Sequence, residues 1–443
     1  MESYYSYSIH FAKERGRLKR SRTRWFFLAP SIFFLWAVGN LDKVGISVIV
    51  TNDNFLQSME LNGKSTEIGL LMTGFTVLYG LSSAFWGYIV DRIGPRLTAI
   101  IGLIIWTVSL IMGGLAGSYG SLIASRVILG LGEGIMFPMT NKFIAQWFHP
   151  KELGKAQSTW VYGQYLGPAL GIPMLVWLIS ISSWEVSFFA LAGFSLFINL
   201  PLVIFLTRDT PAQHYAVNSL ELEYIESGKT AKSKEVQLKS NFLKDKRYWL
   251  VCLAFLMITV LFYGISFWMP TYLEKARGFS PSEMGSLTSL SWLMAIIAVF
   301  TCGIIIDKTR RPALIGSIIF VICGFSILTT SLISNALVAA IMLGLALACV
   351  ASQLLVSQLL IVKYSNPRDT GKAAGIMGVL NIVGGFVTTI MGYIVDSTGG
   401  NYNIALLFLV LFPFIGALSY AGLFRNEKQD IATTALTGTA GFK

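Results

Sequence analysis

Charge is scarce in this chain. Only 13% of its 443 residues are Asp, Glu, Lys or Arg, against about 25% in a soluble globular protein. So few charges leave a water-soluble particle of 48.7 kDa without a polar surface, which excludes the soluble-enzyme reading. A hydrophobic fraction of 54% excludes disorder. Cysteine and histidine are also few. Cys252, Cys302, Cys323 and Cys349 sit in apolar stretches with neither metal-ligand spacing nor a secreted disulfide framework, and read as small apolar residues. His10, His149 and His214 lie outside the deep apolar segments, which argues against a histidine proton relay. The start of the chain lacks a short apolar core and cleavage site, so no cleaved signal peptide is expected.

What the chain has is long apolar blocks. A bilayer span needs about 20 mostly apolar residues. Twelve blocks qualify, at 25–50, 67–90, 97–116, 121–147, 156–181, 184–207, 247–272, 283–306, 312–333, 336–362, 373–395 and 402–424. They predict an all-α membrane protein with twelve transmembrane helices in two pseudo-symmetric six-helix bundles. The expected units are a basic N-terminal segment 1–24, a first bundle 25–207, a polar linker 208–246, a second bundle 247–425 and a tail 426–443. If the N-terminus is inside, 28 of the 34 basic residues fall on inner segments and three on outer loops. That asymmetry places both termini in the cytoplasm, in a bacterial cytoplasmic membrane. It also accounts for the net charge of +11 without a nucleic-acid partner.

The two halves repeat. Pro150-Lys-Glu-Leu-Gly-Lys-Ala156 enters the fifth block and Pro367-Arg-Asp-Thr-Gly-Lys-Ala373 the eleventh. Gly87-x-x-x-Asp91-Arg92 closes the second block and Gly303-x-x-x-Asp307-Lys308 the eighth, at nearly the same offset. Parallel repeats with a site between them at mid-membrane are a transporter architecture. A further echo, Gly-Tyr-Ile-Val-Asp at 87–91 and again at 392–396, falls on opposite membrane sides and reads as coincidence.

Four charges lie deep in the blocks: Asp42, Lys43, Arg126 and Glu133. Each costs about 2.5–3.5 kcal/mol at the bilayer centre even on the mild insertion scale, so they carry the functional argument. At 1.5 Å per residue, Arg126 and Glu133 lie ~8 and ~18 Å below the outer end, and Asp42 ~12 Å. Arg126 and Glu133 are two turns apart on one face, and Gly130 between them leaves room there. Asp42 and Lys43, about 100° apart around the helix, are expected to divide between the cavity and a neighbouring helix. Arg126 offers a planar fork to a carboxylate and Lys43 a second positive centre. Asp42 and Glu133 are candidate proton carriers, because withdrawal from water favours the neutral form of a carboxyl group. Glu133 pairs with Arg126 or Lys43 when no anion is bound. The alternative is a pair of structural ion pairs.

Gln164 and Asn381, 217 positions apart, form a pseudo-symmetric amide pair at mid-depth and are candidate ligands for a hydroxyl or carboxylate. Asn40, Tyr79, Tyr263, Gln353 and Ser357 are candidate cavity liners. Lys142 sits near an inner end and is expected to snorkel.

Gly87-Tyr-Ile-Val-Asp91-Arg92-Ile-Gly94-Pro-Arg96, with its weaker copy at Gly303, Asp307 and Lys308, resembles the loop signature of the major facilitator superfamily. That resemblance implies an inner gate in which Asp91 caps a facing helix or pairs with a base, while Arg92 and Arg96 meet carboxylates. Within the superfamily, four stretches resemble the anion:cation symporter family. They are Asn40-Leu-Asp42-Lys43, Arg126-x-x-x-Gly130-x-x-Glu133-Gly134, Asp209-x-Pro211-x-x-His214 with Glu221-x-x-Tyr224, and Gly375-x-x-Gly378-x-x-Asn381-x-x-Gly384. The family implies import of a small organic anion, a carboxylate or a sugar acid, by proton symport. It implies no cofactor, with sodium as the other candidate ion. The expected partners are the anion, protons and the lipid bilayer, and the chain is expected to act as a monomer. The family usually carries Tyr-Asp-Arg where this chain has Leu41-Asp42-Lys43, which implies a different or less hydroxylated anion. Gly163-x-x-x-Gly167-Pro168-x-x-Gly171 resembles a motif of proton-coupled drug antiporters and supports the alternative of export.

Overall fold

The computed structural model describes residues 21–232, 242–364 and 370–423. Residues 1–20, the middle of the linker, the first three residues of the Pro367–Ala373 loop motif and the tail lie outside the described residues. Among the described residues, twelve helices are long and apolar enough to cross a membrane. They are α1 Arg24–Ile49, α2 Ser65–Ile93, α3 Pro95–Gly114, α4 Tyr119–Trp147, α5 Pro150–Ile181, α6 Trp184–Leu206, α7 Lys246–Ala276, α8 Pro281–Thr309, α9 Pro312–Leu332, α10 Ala336–Tyr364, α11 Thr370–Gly385 continuing as Val387–Ser397, and α12 Tyr402–Ala421. No strand occurs among the described residues. Local sequence sets the starts of several helices. Pro95, Pro281 and Pro312 open α3, α8 and α9, where the missing N–H costs nothing. The Ser280 side chain accepts from the Glu283 N–H while Glu283 reaches back to Ser280, a reciprocal cap on α8.

α1 and α7 are the most buried spans and pack against each other at the centre. α2 lies against α11 and α5 against α8, so four helices form two seams between the halves. The hydrogen bonds across these seams gather at the end that the charge asymmetry assigns to the outside, here termed outer. Leu170, Trp177, Phe197, Ile297 and Leu418 are among the large apolar side chains left exposed on the outward faces, as a lipid solvent requires.

At the inner end the first part of the linker is clamped to the first bundle. Asp209 accepts from the Arg96 backbone N–H at 2.9 Å and so caps α3, beside Gly94, where φ is +84° and a Cβ would lie 2.4 Å from the Asp209 carboxylate. His214 is packed by Trp147, Phe27 and Tyr215. The linker helix Ser219–Lys232 presents Glu221, fully buried, to the N–H groups of Thr23 and Arg24, to Ser21 and to the Arg24 guanidinium. Arg24 also forks onto Glu152 at 3.0 Å. Burial alone would raise the Glu221 carboxyl, but the hydrogen bonds from Ser21, Thr23 and Arg24 outweigh it and hold it below the usual range. A carboxyl depressed in the fold stabilises above its unfolded value and loses that contribution as pH falls through the folded one. Melting of the detergent-purified protein is therefore expected to drop on acidification. Glu221→Gln is expected to flatten this dependence, and Glu221→Ala to cost about 2–3 kcal/mol, since Arg24 keeps Glu152. An acid profile identical in Glu221→Gln and wild type would contradict this account.

Candidate functional site

The four deep charges converge. Glu133 ends the first helical segment of α4, which breaks at Gly134 and Ile135 before resuming at Met136. Its carboxylate lies 3.6 Å from Lys43 Nζ on α1. Of the two expected partners, Lys43 is the one Glu133 takes. Arg126 turns instead to α1, where its Nη atoms reach the Asp42 and Lys43 carbonyls at 3.5 and 3.4 Å. These are long bonds for a buried guanidinium. The Arg126 Nε and both oxygens of Asp42 and of Glu133 are buried and have no hydrogen-bond partner among the described residues. The Asp42 carboxyl lies near that of Glu133 and near both cations. Both members of the adjacent pair Asp42-Lys43 thus enter the cluster, and the expected division between cavity and neighbouring helix does not occur. The reach of the lysine stem explains the difference.

Aromatic faces wall the cations. Lys43 Nζ stands 4.4 Å from the Tyr79 ring centroid, and Arg126 stands 5.2 Å from that of Phe75. Phe75 and Tyr79 stack on one another along α2. Tyr263, on α7 of the second half, lies within electrostatic range of Lys43, Tyr79 and Glu133. Phase and depth in the sequence point to Tyr79 and Tyr263, but not to Phe75, which reads there as one more apolar residue. The room expected at Gly130 is taken: a Cβ there would lie 2.3 Å from the Phe75 carbonyl oxygen. Gly130 brings α4 onto the α2 backbone, and so holds Arg126 and Glu133 against the Phe75–Tyr79 wall.

Several candidates serve packing instead. Asn40 Nδ2 donates to the Gln164 carbonyl at 2.6 Å and ties α1 to α5. Gln353 is fully buried and its Nε2 donates to the Gly316 carbonyl at 2.5 Å, joining α10 to α9. Ser357 bonds the Leu354 carbonyl within its own helix. Asn40 and Gln353 thus tie neighbouring helices and Ser357 bonds locally, while Gln353 Oε1 is buried without a hydrogen-bond partner among the described residues. Gln164 is buried on α5 and Asn381 half-buried on α11, and neither hydrogen bonds to the charged cluster among the described residues. Leu41 faces α5, where Gly171 makes space for it. The Leu41 side chain therefore points toward α5 and away from the charged cluster.

In the loop signature Asp91 pairs with a base, accepting from Lys142 Nζ at 2.6 Å within its own half. Arg92 and Arg96 meet no carboxylate side chain: Arg92 lies over the Tyr88 ring and the Arg96 guanidinium donates to the Ile204 carbonyl, among the described residues. The cap of α3 comes from Asp209. Gly87 is open on its outer side, while Gly303, Asp307 and Lys308 stand at the inner end of α8, the last two exposed. Gly375 and Gly378, which the resemblance includes, lie outside the residues whose surroundings are described.

The sequence model of the Major Facilitator Superfamily matches residues 33–387 and 278–440. A probable sulfoacetate transporter of Cupriavidus necator is 26% identical over 92% of this chain and 95% of its own length. A probable L-galactonate transporter of Escherichia coli is 24% identical over 94% of this chain and 92% of its own. Among solved structures, a bacterial homolog of the human lysosomal transporter Spinster, inward-facing and occupied, superposes with a TM-score of 0.70 at 18% identity, covering 91% of this chain and 98% of that one. With a family match over most of its length and twelve spanning helices, the chain belongs to the Major Facilitator Superfamily and is a multi-pass membrane transporter, not an enzyme.

Proposed function

We propose that the protein imports a small organic anion together with protons, by alternating access between the bundles 25–207 and 247–425. The observation that carries this reading is the under-satisfied cluster of Asp42, Lys43, Arg126 and Glu133. Two cations and two carboxyls are buried there with five polar atoms that make no hydrogen bond among the described residues. An isolated structural ion pair would be expected to satisfy its own atoms. An anionic group fits between Lys43 and Arg126, and its arrival frees Glu133 from Lys43. Asp42 and Glu133 are the proton carriers, since both carboxyls are buried in the same cluster, where withdrawal from water favours the neutral form of a carboxyl group. Relatives named for sulfoacetate and galactonate transport favour a carboxylate or sulfonate as cargo. The gathering of cross-half ties at one end favours an inward-facing conformation, with both termini in the cytoplasm, the cytoplasmic membrane as its home and a monomer as the working unit.

The glycines that resemble the antiporter motif are used in packing. Gly163 and Gly167 bring α5 against the α1 backbone at Phe33 and Ala37. Close helix contact accounts for them, and the export reading loses its separate support.

Melting shifts of the purified protein against a panel of carboxylates and sulfonates test this reading. At least one small anion is expected to stabilise wild type, since a ligand that binds only the folded state raises its stability. Stabilisation by cationic dyes and by no anion would contradict it.

A further inference from the structure

The pentapeptide Gly-Tyr-Ile-Val-Asp ends α2 at 87–91 and recurs near the end of α11 at 392–396. The second copy bridges the two halves. Asp396 accepts from the backbone N–H groups of Ser65 and Thr66, both at 2.8 Å, and from Thr66 Oγ1 at 2.6 Å. A carboxylate thus caps the first turn of α2 from across the seam, where the free N–H groups and the helix dipole favour negative charge. The backbones touch beside it. A Cβ at Gly392 would lie 2.1 Å from the Ser65 carbonyl oxygen, and one at Gly69 would lie 2.3 Å from that of Thr388. Thr73 Oγ1 bonds the Gly385 carbonyl at 3.0 Å and Thr389 Oγ1 at 2.7 Å, and Thr388 Oγ1 bonds the Gly69 carbonyl. An ion pair between the halves at this end, Lys275 to Asp53 at 2.8 Å, has its carboxylate in the open and is therefore weak. The first copy of the pentapeptide is in a different state, with Asp91 held by Lys142 of its own half.

We propose that Asp396 is the latch of an outer gate, holding the start of α2 against the end of α11 in the inward-facing state and releasing it when the outer side opens. All three of its bonds depend on backbone contact at Gly392, so a small separation of the helices breaks them together. The latch rests on the alternating-access reading but not on the identity of the anion or the coupling ion.

Spin-label distances in lipid nanodiscs, without anion or gradient, test it. Labels go on exposed positions in a background lacking the four native cysteines: Gln57→Cys with Ser282→Cys at the outer end, and Lys151→Cys with Thr309→Cys at the inner end. Asp396→Asn removes the charge and one acceptor and is expected to raise the ratio of long to short outer distances about tenfold, with the inner pair shortening. Gly392→Ala keeps the carboxylate but wedges the backbones apart, and is expected to shift both pairs in the same direction. Thr66→Val, which deletes one donor, is expected to give a smaller shift of the same sign and carries the test if either other variant fails to fold. Distributions identical to wild type would overturn the latch. So would an outer pair that widens while the inner pair stays fixed, because that marks a structural cap only. Either failure leaves the anion-binding reading intact, since no substrate or gradient enters the measurement.

Discussion

Replacing Arg126 by alanine is expected to abolish anion binding, read as loss of the melting shift produced by the anion that stabilises wild type. Arg126 is fully buried, and its permanently charged fork reaches only long bonds to two helix carbonyls. A buried cation so weakly engaged is available to a ligand. Removing one side of a buried charged contact costs about 2–5 kcal/mol, which is a fall in affinity of roughly 30- to 5,000-fold. The variant also leaves Asp42 and Glu133 with Lys43 as their one nearby cation. Arg126→Lys therefore serves as the control for charge without the fork. It is expected to retain folding and to bind weakly. Full binding by Arg126→Ala would make the cluster a structural device and remove the anion site from it.

Glu133→Gln is expected to abolish gradient-driven accumulation in proteoliposomes while exchange of anion across the membrane at equal concentrations persists. Glutamine keeps the shape and mimics the protonated acid, but it neither gains nor loses a proton. It also ends the 3.6 Å ion pair with Lys43, which frees that ammonium for the anion. Binding is thus expected to survive or tighten while energy coupling is lost. Accumulation at the wild-type level would remove Glu133 from the coupling pathway and leave Asp42 as the carrier.

The architecture was readable from sequence because the bilayer imposes a hard requirement. Each span must be long, apolar and helical, and twelve blocks meet that condition. The deep charges stood out for the same reason. Which polar groups face one another was less readable, since it depends on how each helix is rotated. Asn40 and Gln353 share depth and chemistry with good ligands, yet spend their donors on neighbouring carbonyls. Leu41 adjoins the cluster in sequence and points away from it into the notch at Gly171. The linker residues Asp209 and Glu221 carry a recognisable motif, but their work as caps on α3 and α1 appears only once those helix starts lie beside them. Asp396 shows the sharpest difference. Its pentapeptide lies on the opposite membrane side from its twin, which made the echo look accidental. α2 and α11 run antiparallel, and the end of α11 stands beside the start of α2, so a carboxylate at that end of α11 reaches the free N–H groups there.

The central claim is that Asp42, Lys43, Arg126 and Glu133 bind an anion and exchange protons in one cycle. Uptake of the stabilising anion into proteoliposomes under an imposed pH gradient, acidic outside and with sodium absent, tests it most directly. The account predicts accumulation above the external concentration, collapse of that accumulation when the pH gradient is dissipated, and none with Glu133→Gln. Uptake that ignores the pH gradient and follows sodium, or an outward acid gradient that drives the anion out of the vesicles, would contradict it.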